Sequence, residues 1–177
     1  MKYTKPAEIV TRQFTLRPLR KSDAPAILKN INDRIIFRNL LTVAYPYTPK
    51  NVLRDLNHVH NLARRKNTTD IPFAIEIDGE CAGIISICNI EEHRGEVSYW
   101  IGRQYRDKGI MTKAVNEITK FGFSQLNLNR VCAHVFPFNK ASMRVLEKAG
   151  YKFEGILRKN VMKNGKLLYQ NLFAKVR

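Results

Sequence analysis

Residues 97–112 read V-S-Y-W-I-G-R-Q-Y-R-D-K-G-I-M-T, and this stretch decides how the chain is interpreted. An apolar, strand-like segment ends at Gly102, a short basic loop covers residues 103–109, and from Ile110 onward the apolar spacing is helical. A strand that runs through a glycine-containing basic turn into a helix directs backbone N–H groups, the helix dipole and cationic side chains towards one point. The stretch therefore predicts a site for an anionic group such as a pyrophosphate.

Length and composition predict a single globular domain over residues 1–177. With 177 residues and 44% hydrophobic content, the chain is long enough to bury about 70% of its unfolded surface. No apolar run approaches the roughly 20 residues that span a bilayer, and the first eight residues lack the apolar region of a signal peptide. Cys81, Cys88 and Cys132 lie in apolar contexts without zinc or redox spacing. We therefore predict free thiols, no bound metal, no membrane association and a cytoplasmic protein, either a monomer or a homodimer.

The charge of the chain is strongly positive and uneven. Thirty-one Lys and Arg against fifteen Asp and Glu give a net charge of +16, which favours anionic partners such as nucleotides, nucleic acid or a ribosomal surface. The charge could equally serve only solubility. Residues 76–96 carry six acidic side chains and one basic side chain, Arg94. This acidic strip could receive an amine, or it could be the solvated face of a hairpin.

Periodicity and turn signals predict a mixed α/β (α+β) domain with one central sheet. The predicted strands cover residues 13–19, 71–77, 80–90, 96–101, 130–136, 151–158 and 167–176. The predicted helices cover residues 22–30, with Ser22 as N-cap, 49 to about 66–67, 110–126 and 139–150. Residues 33–48 show no clear period and are expected to form a long loop or short helices that wall the acceptor side of a site, together with the second helix and the final hairpin.

Three segments together resemble the GCN5-related N-acetyltransferases, and within them the ribosomal-protein N-terminal acetyltransferase-like (Rim-type) group. Residues 106–112 fit that family's acetyl-CoA motif, which is Arg or Gln, two residues, Gly, one residue, and Gly or Ala; Met111 in the last position departs from it. Residues 139–151 contain Asn-x-x-Ser followed by Glu-Lys-x-Gly-aromatic, and residues 153–155, Phe-Glu-Gly, precede an Asn-Gly hairpin. The resemblance implies a single domain with a central, mostly antiparallel mixed sheet of about seven strands flanked by about four helices.

The resemblance also implies acetyl-CoA as donor and assigns residues to it. The backbone amides of the loop would bind the pyrophosphate, namely those of Arg106, Asp107, Lys108, Gly109, Ile110, Met111 and Thr112, with added charge from the basic side chains. The main chain of Tyr99, Trp100 and Ile101 would pair with the pantetheine arm. Asn139 would hydrogen-bond a pantetheine amide, or serve only as a helix N-cap; both roles are compatible.

Two residues receive catalytic roles by the same resemblance. Many members of the superfamily protonate the leaving thiolate with a Tyr at the position that Leu146 occupies here, and Leu146 cannot do so. The Rim-type group uses the Ser of Asn-x-x-Ser instead, which is Ser142. Glu154 matches that group's base toward the amine, although an ordinary carboxylate is a weak base for an ammonium group. His134, on a strand that borders the predicted cleft, could also be a base or could simply be packed in the sheet.

Three functions follow as hypotheses. The first is an acetyl-CoA-dependent N-acetyltransferase in which a protein N-terminal α-amine, for example of a ribosomal protein, attacks directly in a ternary complex, with possible ribosome association through the basic surface. The second keeps the chemistry but uses a polyamine or another small amine as acceptor. The third is a non-catalytic basic module that binds nucleic acid, although the sequence carries no known nucleic-acid-binding motif.

Overall fold

The computed structural model describes residues 7–62 and 68–177, and within them the chain forms eight strands and five α-helices. The strands are β1 (Ile9–Val10), β2 (Thr15–Pro18), β3 (Ile71–Ile77), β4 (Glu80–Glu91), β5 (Arg94–Ile101), β6 (Arg130–Val135), β7 (Lys152–Lys163) and β8 (Lys166–Val176). The helices are α1 (Ala24–Ile31), α2 (Arg34–Asn39), α3 (Pro49–Leu62), α4 (Ile110–Gln125) and α5 (Lys140–Lys148).

All the strands belong to one sheet in the order β1-β2-β3-β4-β5-β6-β8-β7. Every neighbouring pair is antiparallel except β5 and β6, which are parallel. The β5–β6 pairing ends at Glu96 and Cys132, while β5 continues to Ile101 and β6 to Val135. The sheet therefore opens between these two strands, and this opening determines where the site lies.

Apolar side chains alternate between the two faces of the sheet and form two cores. One face packs against α4 and α5 through residues such as Phe73, Ile85 and Val97. The other packs against α1, α2 and α3, with Ala74 and Cys81 among its buried residues. The period-2 pattern of the strands and the 3.6-residue pattern of the helices thus meet along both faces, as an α/β domain requires.

The predicted fold class is confirmed, with additions and corrections at particular elements. The short strand β1 and the helix α2 add to the seven strands and four helices that the sequence predicts. Ser22 is not an N-cap: it lies in a 3₁₀ turn, Lys21–Asp23, and α1 begins only at Ala24. The turn between β4 and β5 falls at Glu92 and His93, so β5 begins at Arg94, two residues earlier than predicted. The predicted end of the second helix, at residues 66–67, lies outside the described residues, as do the first six residues.

A buried ion pair explains the displaced start of α1. The Arg17 side chain on β2 is 2% exposed, and its Nη2 lies 2.7 Å from Oδ1 of Asp23, while its Nε donates to Glu76. Asp23 Oδ2 also accepts from the backbone N–H of Arg20 at 2.7 Å. Because a buried guanidinium needs a charged partner, the carboxylate of Asp23 fixes the chain direction between β2 and α1.

The cysteines and the helices bear on the remaining predictions for the chain. The three cysteines are free thiols, with Cys81 buried and Cys88 and Cys132 half-buried. Burial raises the pKa of Cys81 and of Cys88 to about 12, which makes these thiols unreactive at neutral pH. Across residues 7–62 and 68–177, no helix has the length and apolar character needed to cross a membrane.

Candidate active site

A cleft of about 620 Å³ lies where β5 and β6 separate. Its walls come from β5, β6, the loop before α4 and the first turn of that helix, together with residues of α2 and α5. All the predicted site residues line this cleft except Lys108 and Glu154. The structure therefore brings most of the sequence-predicted site together in one place.

The loop between β5 and α4 has the backbone form of an anion site. Asp107 and Gly109 adopt left-handed conformations, with φ of 60° and 72°, and Gly109 is the N-cap of α4. No side chain caps this helix terminus, so the N–H groups of its first turn stay available to a ligand in the cleft that residues 109–112 line. Successive amides in such a turn, placed at the positive end of a helix dipole, suit a phosphate group.

Three side chains of the loop behave differently from one another. Nη2 of Arg106 lies 3.0 Å from Oδ2 of Asp33, whose Oδ1 caps α2 by accepting from the N–H of Ile35 at 2.6 Å. The ion pair between Arg106 and Asp33 therefore links the loop before α4 to the N-terminus of α2, and so connects two walls of the cleft. Lys108 is exposed and does not line the cleft. Met111 is 8% exposed and packs into the core, so its departure from the family motif leaves the backbone of the loop free.

The end of β5 is held close to β4 by a glycine. Tyr99, Trp100 and Ile101 line the cleft, and Ile101 pairs with Gly83 of β4. A Cβ atom on Gly83 would lie 2.3 Å from the carbonyl oxygen of Trp100, which no side chain can occupy. Gly83 therefore allows β5 to stay paired with β4 while it leaves β6, and this geometry keeps the cleft open.

Ser142 and Asn139 occupy the first turn of α5 at the edge of the cleft. Asn139 is the N-cap, and its Oδ1 accepts from the N–H of Ser142 at 3.2 Å, which confirms its capping role. Oγ of Ser142 lies 2.8 Å from the hydroxyl of Tyr99. Burial raises the pKa of Tyr99 and keeps its phenol protonated, so the two hydroxyls form a neutral hydrogen-bonded pair facing the cleft. Leu146, at the superfamily's Tyr position, is fully buried in the core.

Glu154 is not part of this arrangement. The β7–β8 pairing skips one residue between Phe153 and Gly155, so Glu154 is the bulged residue of its strand. Its carboxylate forms a bidentate pair with Arg130, with Oε1 2.8 Å from Nη1. The hydrogen bond from Arg130 lowers the pKa of Glu154, the opposite of what a base toward an ammonium group requires. The structure does not bring Glu154 and Ser142 together.

The cleft contains residues that the sequence did not single out. One wall is formed by Ile35, Ile36, Asn39 and Leu40, from α2 and the residue after it. Residues 33–48 therefore contribute to the cleft, through a helix too short for the sequence to mark by its period. The described part of the second helix and the final hairpin, which were expected to wall the same side, do not line it. Glu96 of β5 also lines the cleft, beside His134 of β6. The sequence had offered His134 as a possible base and Glu96 as one acid of the strip at residues 76–96, but it did not predict that the two side chains pair.

Three of the other five acidic residues of the strip form ion pairs with basic side chains outside the cleft. Glu76 pairs with Arg17, Glu80 with Lys29, and Glu91 with Arg94. Of the six acids in residues 76–96, only Glu96 lines the cleft. Among residues 7–62 and 68–177, moreover, no three His, Cys, Asp or Glu side chains gather as a metal site would require.

This cleft and fold define an acyltransferase of the acetyl-CoA type, and comparison with known proteins shows the family. Residues 13–152 match the model of the acetyltransferase (GNAT) domain. The chain belongs to this family, which confirms the predicted N-acetyltransferase class and argues against a non-catalytic nucleic-acid-binding module.

Individual relatives differ in their acceptors. The chain is 29% identical to the spermidine N(1)-acetyltransferase of Escherichia coli over 160 residues, 88% of this chain and 81% of that protein. The crystal structure of the ribosomal-protein-S5-alanine acetyltransferase from Vibrio fischeri superimposes with a TM-score of 0.83 at 25% identity over 97% of each chain. RimJ of Mycobacterium smegmatis, in complex with CoA-disulfide, has the same fold, with a TM-score of 0.83 at 24% identity over 92% of this chain and 81% of RimJ. Aligned segments cover 38% of one curated relative and 94% of another.

Proposed function

We propose that this enzyme transfers the acetyl group of acetyl-CoA to the α-amine of a protein N-terminus, for example that of a ribosomal protein, by direct attack in a ternary complex. The observation that carries the proposal is the single cleft in which the anion-binding loop, the free end of β5 and Ser142 meet. A cleft that held a thioester and an amine side by side would make the attack effectively unimolecular, which supports the proposal.

The residues of the donor side divide the binding of acetyl-CoA between them. The amides of residues 109–112 and the left-handed turn at Asp107 and Gly109 would receive the pyrophosphate. The main chain of residues 99–101, freed from β6, would pair with the pantetheine arm, because its hydrogen-bonding groups on that side have no strand partner. Arg144 and Lys148 of α5 also line the cleft and would add positive charge.

Ser142 would act on the leaving group. The reaction expels a thiolate, and the Ser142 hydroxyl, hydrogen-bonded to Tyr99 at 2.8 Å, is a donor at the edge of the cleft. When the Ser142 hydroxyl donates toward the sulfur, its oxygen can still accept a hydrogen bond from the Tyr99 hydroxyl. Both hydroxyls then remain neutral, and no buried charge is required. The position of Ser142 supports this role, because the hydrogen bond that its N–H donates to Asn139 fixes the first turn of α5.

The acceptor is proposed from the shape and charge of the other wall. The apolar side chains of Ile35, Ile36 and Leu40 suit the first side chains of an extended peptide. A polyamine needs several unpaired carboxylates, whereas Glu96 is the one strip acid in the cleft and is already hydrogen-bonded to His134. The similarity to the Vibrio fischeri enzyme supports a ribosomal protein, and the similarity to spermidine N(1)-acetyltransferase keeps the polyamine as the second candidate.

The acceptor is tested by mass spectrometry of acetylated products. Purified enzyme with acetyl-CoA is offered purified ribosomal proteins, short peptides with their N-termini, and spermidine at equal concentrations. We expect acetylation of free peptide N-termini and none of the same peptides with formylated N-termini. Acetylation of spermidine alone would replace the protein acceptor with the polyamine.

A further inference from the structure

The cleft holds one ionisable pair that the donor side does not use. Nδ1 of His134 lies 2.9 Å from Oε1 of Glu96, and the two side chains are 25% and 20% exposed. Both line the cleft. The pair sits where the sheet opens, because Glu96 and Cys132 form the last register pair of β5 and β6, and His134 follows two residues later on the same face of its strand.

Glu96 is itself held in place from the neighbouring strand. Nδ2 of Asn89 donates to Oε2 of Glu96 at 3.0 Å. Asn89 has a φ of 50° and lies in an irregularity of the β4–β5 pairing between Cys88 and Glu91. A bulge thus directs an amide at the second carboxylate oxygen, which leaves the first oxygen to orient the imidazole.

The surroundings favour a basic imidazole. The hydrogen bond that the His134 ring donates to Glu96 raises the pKa of His134, and its effect outweighs the burial of the ring. Burial of the Glu96 carboxyl is the largest single influence and opposes ionisation, but the hydrogen bonds and charge of His134 together with the hydrogen bond from Asn89 lower the pKa of Glu96 overall. The other titratable groups nearby, the thiols of Cys88 and Cys132, have pKa values raised by burial and stay neutral. The charged side chains at the donor end, Arg106, Asp107, Arg144 and Lys148, belong to the loop and to α5.

From this geometry we propose that His134 is the general base of the transfer and that Glu96 is its positioning residue. Glu96 occupies Nδ1, so Nε2 is the ring nitrogen that accepts a proton from the acceptor amine, directly or through one water. The inference rests on the proposed acetyl transfer to an amine, not on which amine is used.

The proton balance of the step is complete. An acceptor that arrives as an ammonium ion gives one proton to Nε2, and Glu96 stabilises the imidazolium that forms. The free amine then attacks the thioester carbonyl, the carbon–sulfur bond breaks, and a second proton from the attacking nitrogen ends on the thiolate through Ser142. His134 returns its proton to solvent, so one amide, one thiol and one released proton result.

Two variants and a matched control test the pair. His134→Gln removes the base, Glu96→Gln removes only the charge beside it, and His93→Gln changes another histidine with a glutamate neighbour, Glu92 at 3.9 Å, both exposed and outside the cleft. The rate constant kcat/KM is measured against pH with whichever amine the wild-type enzyme acetylates.

At pH 7 we expect His134→Gln to lower kcat/KM about 100-fold, a typical contribution of a general base. The loss should shrink above pH 8, since an α-amine with a pKa near 8 then arrives unprotonated. Glu96→Gln should retain activity but shift the acidic limb of the profile to lower pH, because the imidazole loses the charge that raises its pKa. His93→Gln should match the wild type. An unchanged rate and profile in His134→Gln would overturn the proposal.

A spectroscopic measurement separates this proposal from that of the acceptor. Imidazole nitrogen resonances titrated with acetyl-CoA bound should show His134 deprotonating at higher pH in the wild type than in Glu96→Gln. If spermidine but no peptide is acetylated, the acceptor proposal fails and the pH test proceeds with spermidine. A titration of His134 that Glu96→Gln leaves unchanged, in a protein that acetylates either amine, contradicts the proposed pair.

Discussion

At Ser142 two neighbouring side chains fix the direction of one hydroxyl. The Asn139 cap sets the backbone of the first turn of α5, and Tyr99 reaches from β5 to within 2.8 Å of Oγ. A serine near a helix N-terminus usually satisfies the local backbone. Here its hydroxyl instead faces a side chain from another element, across the cleft that both residues line. A role in protonating a leaving group depends on this orientation.

Substitution of Ser142 separates catalysis from binding. Ser142→Ala should lower kcat about 10²-fold at pH 7 and leave the Kd for acetyl-CoA within about twofold, because the hydroxyl acts only on the developing thiolate. Stopped-flow or steady-state kinetics and isothermal titration measure the two quantities. Glu154→Gln is the control: its carboxylate pairs with Arg130 outside the cleft, so kcat should stay within about twofold, as for other surface pairs. A large loss of kcat in Glu154→Gln, together with a nearly unchanged kcat in Ser142→Ala, would contradict the assignment. Glu154, and not Ser142, would then be the residue that acts in catalysis.

Ser142 and Glu154 show when a short sequence motif predicts the position of a side chain and when it does not. Position 142 follows from Asn-x-x-Ser because the spacing within one helical turn is fixed by the local backbone. Glu154 was expected at the site from a similar short motif, but a bulge of β7 directs it to Arg130 on β6. Whether a strand pairs regularly or bulges depends on its neighbour in the sheet, which a local motif does not contain.

The loop and helix that we propose to bind acetyl-CoA form one element, and its backbone N–H groups would receive the pyrophosphate. Gly109→Glu should raise the Kd for acetyl-CoA at least about 100-fold, since a Cβ there meets nothing within 4 Å and the carboxylate would project towards the anion site. Isothermal titration measures the Kd. Gly79→Glu is the matched control, because Gly79 has a φ of 78° and equal free space, but lies in the β3–β4 turn and does not line the cleft. Equal losses in both variants would mean that backbone strain, and not the anion site, sets the affinity.

The turn from β2 into α1 depends on a buried carboxylate. Asp23→Ala should lower the free energy of unfolding by about 3–5 kcal/mol at pH 7, because it leaves the guanidinium of Arg17 buried with one partner fewer. Denaturant unfolding measures the change. Glu8→Ala, which breaks the exposed pair with Arg20, should cost at most about 1 kcal/mol. A small effect of Asp23→Ala would show that Glu76 alone neutralises Arg17.

The Asp23 carboxylate also predicts how the free energy of unfolding changes with pH. Burial would raise the pKa of Asp23, but hydrogen bonds from Arg17 and from the N–H of Arg20 lower it overall. A folded-state pKa below the unfolded value of about 3.9 means that the stabilisation is present at neutral pH and is lost as the pH falls below about 4. The difference in unfolding free energy between wild type and Asp23→Ala should therefore narrow in acid.

At the scale of the whole molecule, charge is the property that most exceeds the needs of the fold. The net charge is +16, and three of the six acids of residues 76–96 pair with Arg or Lys side chains. We expect co-sedimentation with ribosomes at 50 mM salt and a fall in the association constant of at least about 100-fold by 200 mM, if four or more phosphates are contacted. Binding that does not change with salt, or no binding at 50 mM, would assign the charge to solubility.

Local sequence features encode the part of the cleft that we propose to bind acetyl-CoA. The order of strands and helices, the glycine-containing basic turn before α4 and the Asn139–Ser142 spacing are local features, and local backbone preferences and periodicities encode them. They were sufficient to predict the acetyltransferase family, and most of the site residues that they predict do line the cleft.

The side-chain pairs that join different elements around the cleft could not be predicted from the sequence. Asp33 meets Arg106, and Glu96 meets His134, across elements that are far apart in sequence. Two strands must part for the second pair to face a cleft, and a bulge turns Glu154 away from it. These pairings depend on where the strands of the sheet separate or bulge. Long-range packing sets those positions, and short-range sequence patterns do not record them.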